Sequence, residues 1–192
     1  MYEFFKRVFD LVMSILLLVF CLPVLIIIAL LIKLDSNGPI LYRHKRVGKD
    51  GKLFYVYKFR TMRVKSDKDT FKQITYFVPK KNKPINDPRL TKIGKFLRMV
   101  SLDELPHLFN VFKGEMSLVG PRPPMVYEFE HYNEYERTRM KCKPGIIGLS
   151  QLSRAKTYKE MIEKDIFYVN HRSFWIDLKT FFSIIIVPFK KI

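Results

Sequence analysis

Leu11-Val12-Met13-Ser14-Ile15-Leu16-Leu17-Leu18-Val19-Phe20-Cys21-Leu22-Pro23-Val24-Leu25-Ile26-Ile27-Ile28-Ala29-Leu30-Leu31-Ile32 runs for 22 residues without a charge. At about 1.5 Å per residue a helix of that length crosses the roughly 30 Å of a bilayer's hydrocarbon core. No small-residue cleavage site follows it, so a removable signal peptide is a poor fit. Pro23 lies in mid-run, where it removes one backbone hydrogen bond and crowds the carbonyl of Val19. Lys6 and Arg7 precede the run, while Lys33, Arg43, Lys45, Arg46 and Lys49 follow it. Cytoplasmic flanks carry the excess of Lys and Arg, so both ends ask for the same side. A helix broken at Pro23 that enters and leaves on one face satisfies both flanks. A kinked spanning helix remains the alternative.

Outward from this run, 192 residues allow one core, so residues 1–36 are expected to form the membrane element and 37–192 a single interfacial domain. Lys and Arg number 35 against 18 Asp and Glu, a net charge of +17 that calls for polyanionic company. Nucleic acid, anionic lipid headgroups and a phosphorylated substrate all qualify. The 17 Phe and 10 Tyr favour a membrane interface over a nucleic-acid groove. Cys21 is in the apolar run and Cys142 in a basic stretch, so a disulfide between them is not expected. Neither these nor the scattered His44, His107, His131 and His171 have zinc-ligand spacing.

Ile40–Tyr42 and Leu53–Phe59 read as strands of a β-hairpin around Lys49-Asp50-Gly51-Lys52. Arg43, Lys45, Arg46, Lys58, Arg60 and Arg63 surround it, and the plain reading of most is a solvated basic face. Lys65–Pro88 is polar, Lys-rich and punctuated by Pro79, Pro84 and Pro88, hence loop. Thr91–Arg98 has helical apolar spacing, repeated by Leu105, Leu108, Phe109 and Phe112 up to Lys113-Gly114. Gly120-Pro121-Arg122-Pro123-Pro124 is too stiff for helix or central strand and displays one arginine. Val126–Lys141 alternates acid and base as a solvated helix does. Lys143–Gly148 reads as a second rigid turn, and Tyr158–Tyr168 as helix. Phe174–Val187 suits either an interfacial helix or a core helix.

Ser101-Leu102-Asp103-Glu104-Leu105-Pro106 sets two carboxylates side by side. Ser101-x-x-Glu104 has the capping-box pattern, although Pro106 then falls late for a first turn. A helix starting nearer Asp103 is the other reading. Functionally, an ionised Asp is a competent nucleophile toward phosphorus, and a neighbouring carboxylate suits Mg²⁺ shared with a diphosphate. Arg98 and Arg122 are placed to neutralise phosphoryl charge through planar, bidentate contacts.

These residues, with Asn86-Asp87-Pro88-Arg89-Leu90-Thr91-Lys92-Ile93-Gly94, Leu108-Phe109-Asn110-Val111 and Gly114-Glu115-Met116-Ser117-Leu118-Val119-Gly120-Pro121-Arg122-Pro123, resemble the bacterial sugar transferase family, the monotopic phosphoglycosyl transferases. Phe5-Lys6-Arg7-x-Phe9-Asp10, Tyr57-Lys58-Phe59-Arg60-Thr61-Met62 and Lys143-Pro144-Gly145 extend the likeness from end to end. The length resembles the family's minimal catalytic unit. The resemblance implies an α+β, mainly helical membrane-associated domain with a small β-hairpin, a re-entrant N-terminal helix broken at Pro23, and interfacial amphipathic helices. It implies transfer of a sugar 1-phosphate from a UDP-sugar to a polyprenol phosphate, commonly undecaprenyl phosphate, with Mg²⁺ as cofactor and release of UMP. Asp103 would be the nucleophile and Glu104 its partner in holding metal or handling protons. Arg98 and Arg122 would contact phosphate, Lys58 and Arg60 would line the site, and Lys143, Pro144 and Gly145 would touch the nucleotide or sugar. The implied location is the cytoplasmic face of the bacterial inner membrane, among anionic lipids, with no nucleic-acid partner and a homo-oligomer left open. Leu22 stands where the family often has Ser before the proline, and Ile147 and Leu149 replace its Thr and Trp. A membrane-tethered nucleic-acid binder or a silent scaffold are the rival classes, and neither explains the carboxylate pair.

Overall fold

The apolar run forms helix and carries it outward on both sides. Helix α1 spans Tyr2–Asp35, 34 residues, or about 51 Å at the ordinary rise. The computed structural model of the chain describes residues 1–63, 87–153 and 155–186, so all but the last two residues of the loop expected over Lys65–Pro88 lie outside the described residues. Helical secondary structure continues across Pro23, which lies inside the helix. Proline's penalty is local, and strong apolar turns on either side absorb it.

Lys6, Asp10, Ser14, Leu25, Ile28 and Ile32 are buried along one stripe of α1, with Leu18 and Cys21 packed between them. Spacings of three and four keep them on one face. Away from that stripe the helix exposes Val12, Leu16, Val19, Phe20, Ile26, Ile27, Leu30 and Leu34. A contiguous apolar surface of this extent marks a membrane or partner contact. The helix therefore lies along the domain rather than projecting from it.

Both ends of α1 are fastened to the same body. Near its start, Lys6 pairs with Asp177 at 2.9 Å, Arg7 donates to the carbonyls of Val111 and Phe112, and Asp10 accepts from the Leu118 amide at 3.0 Å. At its end, Asp35 accepts from the Ile93 amide at 2.9 Å.

Strands β1 (Leu41–Val47) and β2 (Leu53–Phe59) pair antiparallel, from Leu41 with Phe59 to Val47 with Leu53. The turn between them needs positive φ at Asp50 and Gly51, which an Asp-Gly pair supplies at little steric cost. The first strand is longer than expected because the basic residues Arg43–Arg46 continue it. Helix α2 (Lys92–Val100) begins at Thr91, whose hydroxyl accepts from the Gly94 amide. A Cβ at Gly94 would lie 2.0 Å from the Thr61 carbonyl oxygen, so only glycine lets this helix meet the chain leaving β2.

Helix α3 (His107–Lys113) ends at Gly114 in the left-handed region, as expected for a glycine cap. Strand β3 (Ser117–Val119) runs parallel to β4 (Gly145–Ile147). This second small sheet replaces the rigid turn read at Lys143–Gly148. Between the two strands, α4 (Val126–Glu130), α5 (Glu134–Arg137) and a 3-10 turn at Thr138–Lys141 stand in place of the single helix expected. Helices α6 (Leu149–Leu152), α7 (Tyr158–His171) and α8 (Phe174–Ile186) follow among the described residues. Helix α8 has two faces: Asp177 and Thr180 are buried, while Phe174, Trp175 and Phe182 are exposed. Cys21 and Cys142 are free thiols.

One hydrophobic core joins Phe54, Val56, Leu108, Val111, Leu118 and Tyr168, with Phe9, Met13 and Leu17 of α1 against it. A second joins Leu25, Ile28 and Ile32 of α1 to Phe59 and Leu97. Asn110 ties α3 to the open edge of β2: its amide donates to the Tyr55 carbonyl and its oxygen accepts from the Tyr57 amide.

Candidate active site

The carboxylate pair occupies a single 3-10 turn, Leu102–Glu104, wedged between α2 and α3. Ser101 has φ 60° and closes α2, its amide donating to Arg98 and Leu97 carbonyls; its side chain makes no capping bond. The capping box is thus not formed, because a residue in the left-handed region cannot take the extended backbone of an N-cap. The next helix starts only after Pro106, which serves as its N-cap. Asp103 and Glu104 are both buried, 4% and 9% exposed. The leucines flanking them, Leu102 and Leu105, pack against the cluster of Leu25, Ile28 and Ile32. The turn that carries the carboxylates is thus anchored in the same apolar cluster as the C-terminal half of α1, Phe59 and Leu97.

Cations from three segments gather around this turn. Lys58 of β2 pairs with Glu104 at 3.0 Å. Burial pushes its ammonium below the ordinary pKa, and Glu104 opposes that shift. Arg98, on the last turn of α2, donates to the Thr61 hydroxyl at 2.9 Å and lies in the field of Asp103. Asp87 and Arg89 form a tight pair at 2.6 Å close by, and that arginine holds the carboxyl down near pKa 2. Arg122 bears on Lys58, Arg46, His44 and His107 alike.

Arg122 is presented by a loop whose carbonyls are all taken. Pro121 accepts from the Gly145 amide at 2.8 Å, and Pro124 from the Val47 amide at 3.1 Å. Arg122 accepts from the Arg139 guanidinium, and Pro123 from the Arg46 guanidinium, each at 3.2 Å. Prolines remove donors and fix φ, so four tethers from three segments leave this stretch little freedom. Arg139 is clamped by Asp165 at 2.5 Å, with both side chains almost fully buried. Sequence reasoning missed this pair, because Arg139 stands in an alternating acid–base stretch that looks like solvated surface.

Of the residues expected at the site, Asp103, Glu104, Lys58, Arg98 and Arg122 come together. Arg60 does not join them. Its guanidinium donates to the carbonyls of Ile32, Ser36 and Asn37, capping the C-terminal end of α1, where a cation offsets the helix dipole. Lys143 faces Arg7, Asp10 and Lys49 instead of the carboxylates. Pro144 and Gly145 act through backbone: a Cβ on Gly145 would lie 2.1 Å from the Gly120 nitrogen, so this glycine allows the contact that holds the Arg122 loop. His107 and Arg46, not singled out from the sequence, line the cluster. Burial, then the charges of neighbouring cations, push the two histidines down, His44 to about 4 and His107 to about 3. Both are therefore neutral near pH 7.

The sequence profile of the bacterial sugar transferases matches residues 1–191. The chain belongs to this family. It is 43% identical over 188 residues to a UDP-glucose:undecaprenyl-phosphate glucose-1-phosphate transferase of Klebsiella pneumoniae, covering 93% of this chain and 38% of that relative. An undecaprenyl-phosphate galactose phosphotransferase of Salmonella typhimurium is 41% identical over 190 residues, 94% of this chain and 40% of its own. A galactosyl transferase of Streptococcus agalactiae serotype III is 43% identical over 91% of this chain and 40% of its own. The chain thus spans about two fifths of the length of these sugar transferases.

Among the described residues no group of three or more His, Cys, Asp or Glu side chains could hold a metal. Asp103 and Glu104 still suit Mg²⁺, which commonly binds through one or two carboxylates and completes its shell with water and substrate phosphates.

Proposed function

We propose that this sugar transferase moves a sugar 1-phosphate from a UDP-sugar to a polyprenol phosphate, with undecaprenyl phosphate as the acceptor. The observation that carries this reading is the buried Asp103–Glu104 turn, ringed by Lys58, Arg98 and Arg122, with its flanking leucines in an apolar cluster shared with α1. The names of its relatives support the substrates.

In the first half-reaction an Asp103 carboxylate oxygen attacks the sugar-bearing phosphorus of the UDP-sugar. The bond from that phosphorus to the bridging oxygen breaks, and UMP departs with the electron pair. In the second, an oxygen of the lipid phosphate attacks the same phosphorus and Asp103 leaves, giving the polyprenyl diphosphosugar. Lys58, Arg98 and Arg122 stabilise the charge spread over the phosphoryl oxygens, which is most of what catalysis of phosphoryl transfer requires. The Lys58 ion pair fixes the Glu104 carboxylate beside the nucleophile. Mg²⁺, held by Asp103, Glu104 and the diphosphate, would supply further charge neutralisation.

A re-entrant path for α1 keeps its two ends on the cytoplasmic side of the inner membrane, among anionic lipids. Fastening of both ends to one domain, through Arg7 and Asp35, supports it. Cysteines placed at residues 4 and 36 should be labelled from the same side of a sealed vesicle.

The decisive assay is UMP release across a panel of UDP-sugars with polyprenol phosphate and Mg²⁺. Without the lipid, a radiolabelled sugar phosphate should remain on the protein and be absent from Asp103→Asn. An Asp103→Asn variant that labels and turns over like the parent would falsify the nucleophile assignment.

A further inference from the structure

His107 is a polar group buried in the cationic cluster, with neither ring nitrogen used. It is 6% exposed, and both Nδ1 and Nε2 are buried without a hydrogen-bond partner among the described residues. Buried polar side chains in folded proteins nearly always have a partner, so two idle nitrogens on one ring call for an explanation. The ring is placed firmly, since it opens α3 immediately after Pro106 and is three residues beyond Glu104. The charged groups that face it are Lys58, Glu104, Arg122 and Arg46. Three of these four are cations, and the groups they attract are anionic oxygens.

We propose that His107 is a substrate-binding residue, whose imidazole N–H donates a hydrogen bond to a phosphoryl oxygen of the bound substrate. This rests on the transfer reading above and extends it to a residue that reading does not use. A neutral imidazole offers one donor and one acceptor, and phosphoryl oxygens are acceptors only. The donor therefore goes to phosphate. Lysine and arginine supply charge there, while the short, rigid histidine supplies direction. Two phosphates come to this site, the diphosphate of the nucleotide sugar and the monophosphate of the lipid, and the experiment separates them.

The purified full chain in lipid nanodiscs is titrated in separate arms with UDP and with undecaprenyl phosphate, reading binding from the rise in Tm. His107→Phe keeps a flat ring and removes both nitrogens. His107→Gln restores an N–H donor and an acceptor at similar reach. Without ligand, His107→Phe should melt no lower than the parent, because the free protein loses no hydrogen bond. In one ligand arm it should bind roughly tenfold more weakly, the size expected for a hydrogen bond to a charged group. His107→Gln should recover to within about threefold, and the affected arm names the phosphate. His107→Leu takes the place of the phenylalanine variant if the latter does not fold. Parent-like binding of both ligands by His107→Phe would overturn the proposal, as would equal losses in the Phe and Gln variants. A parent chain that binds UDP yet releases no UMP from any UDP-sugar refutes the transfer reading and leaves His107 as a phosphate ligand.

Discussion

Replacing Asp165 by Asn tests how the Arg122 loop is held. Asp165 is 0% exposed and Arg139 2%, and the substitution keeps shape while stranding the guanidinium. Removing one member of a buried ion pair costs about 3–5 kcal/mol, a large part of the roughly 5–15 kcal/mol that stabilises an ordinary domain. For a chain of this size each kcal/mol moves Tm by about 2–4 °C, so the melting temperature should fall by roughly 6–20 °C. That fall alone would show only that the pair is buried. The informative variant is Arg139→Met with Asp165→Leu. An apolar pair of similar volume is often neutral or stabilising relative to the ions, so Tm should return to near the parent value. UMP release should not return, because the Arg122 carbonyl has lost the Arg139 donor and the loop one of its four tethers. We expect the double variant to turn over about tenfold more slowly, a loss near 1.4 kcal/mol in the transition state. Calorimetry or a thermal-shift assay read beside UMP release separates the two effects. A double variant with parent-like Tm and parent-like turnover refutes the positioning argument.

Two further predictions concern residues whose roles the fold assigned. Arg60→Met removes the donors to the Ile32 and Ser36 carbonyls at the end of α1, so thermal melting should show a loss of roughly 1–3 kcal/mol, while KM for the UDP-sugar stays within twofold of the parent. The buried His107 sets a pH dependence: with a folded pKa of about 3, against roughly 6.5 unfolded, the unfolded chain binds more protons below pH 6.5, and the half-buried His44 adds a smaller contribution of the same sign. Stability should therefore be full above that pH and fall on acidification, by up to about 1.4 kcal/mol per pH unit from His107, and His107→Gln should flatten the Tm–pH slope between pH 6 and 4.

Much of the fold was legible locally. The apolar run had to be helix, Asp50-Gly51 had to turn a hairpin, and Gly114 had to end a helix, because each depends on neighbours in the chain. The carboxylate pair and its companions Arg98 and Arg122 stood out by residue type and by likeness to the family. Ser101 misled because a capping box and a left-handed helix end use the same residues, and only the packing of Leu102 and Leu105 into the cluster of α1, Phe59 and Leu97 decides between them. Arg60 and Lys58, two positions apart, read alike as basic lining. Arg60, just past the end of β2, reaches the carbonyls at the end of α1, and Lys58, within β2, reaches Glu104.

The sequence by itself determined the apolar helix, the hairpin, the family and the two carboxylates, since pattern, turn chemistry and motif are carried by residues close together in the chain. The tertiary structure alone decided which charges meet. Arg139 and Asp165 are 26 positions apart, and Lys58 and Glu104 are 46, so no local spacing announces either pair. Burial reduces solvent screening and leaves each charge dependent on its immediate neighbours. Those neighbours exist only once α1, the hairpin and the Arg122 loop have closed around the turn that carries Asp103 and Glu104.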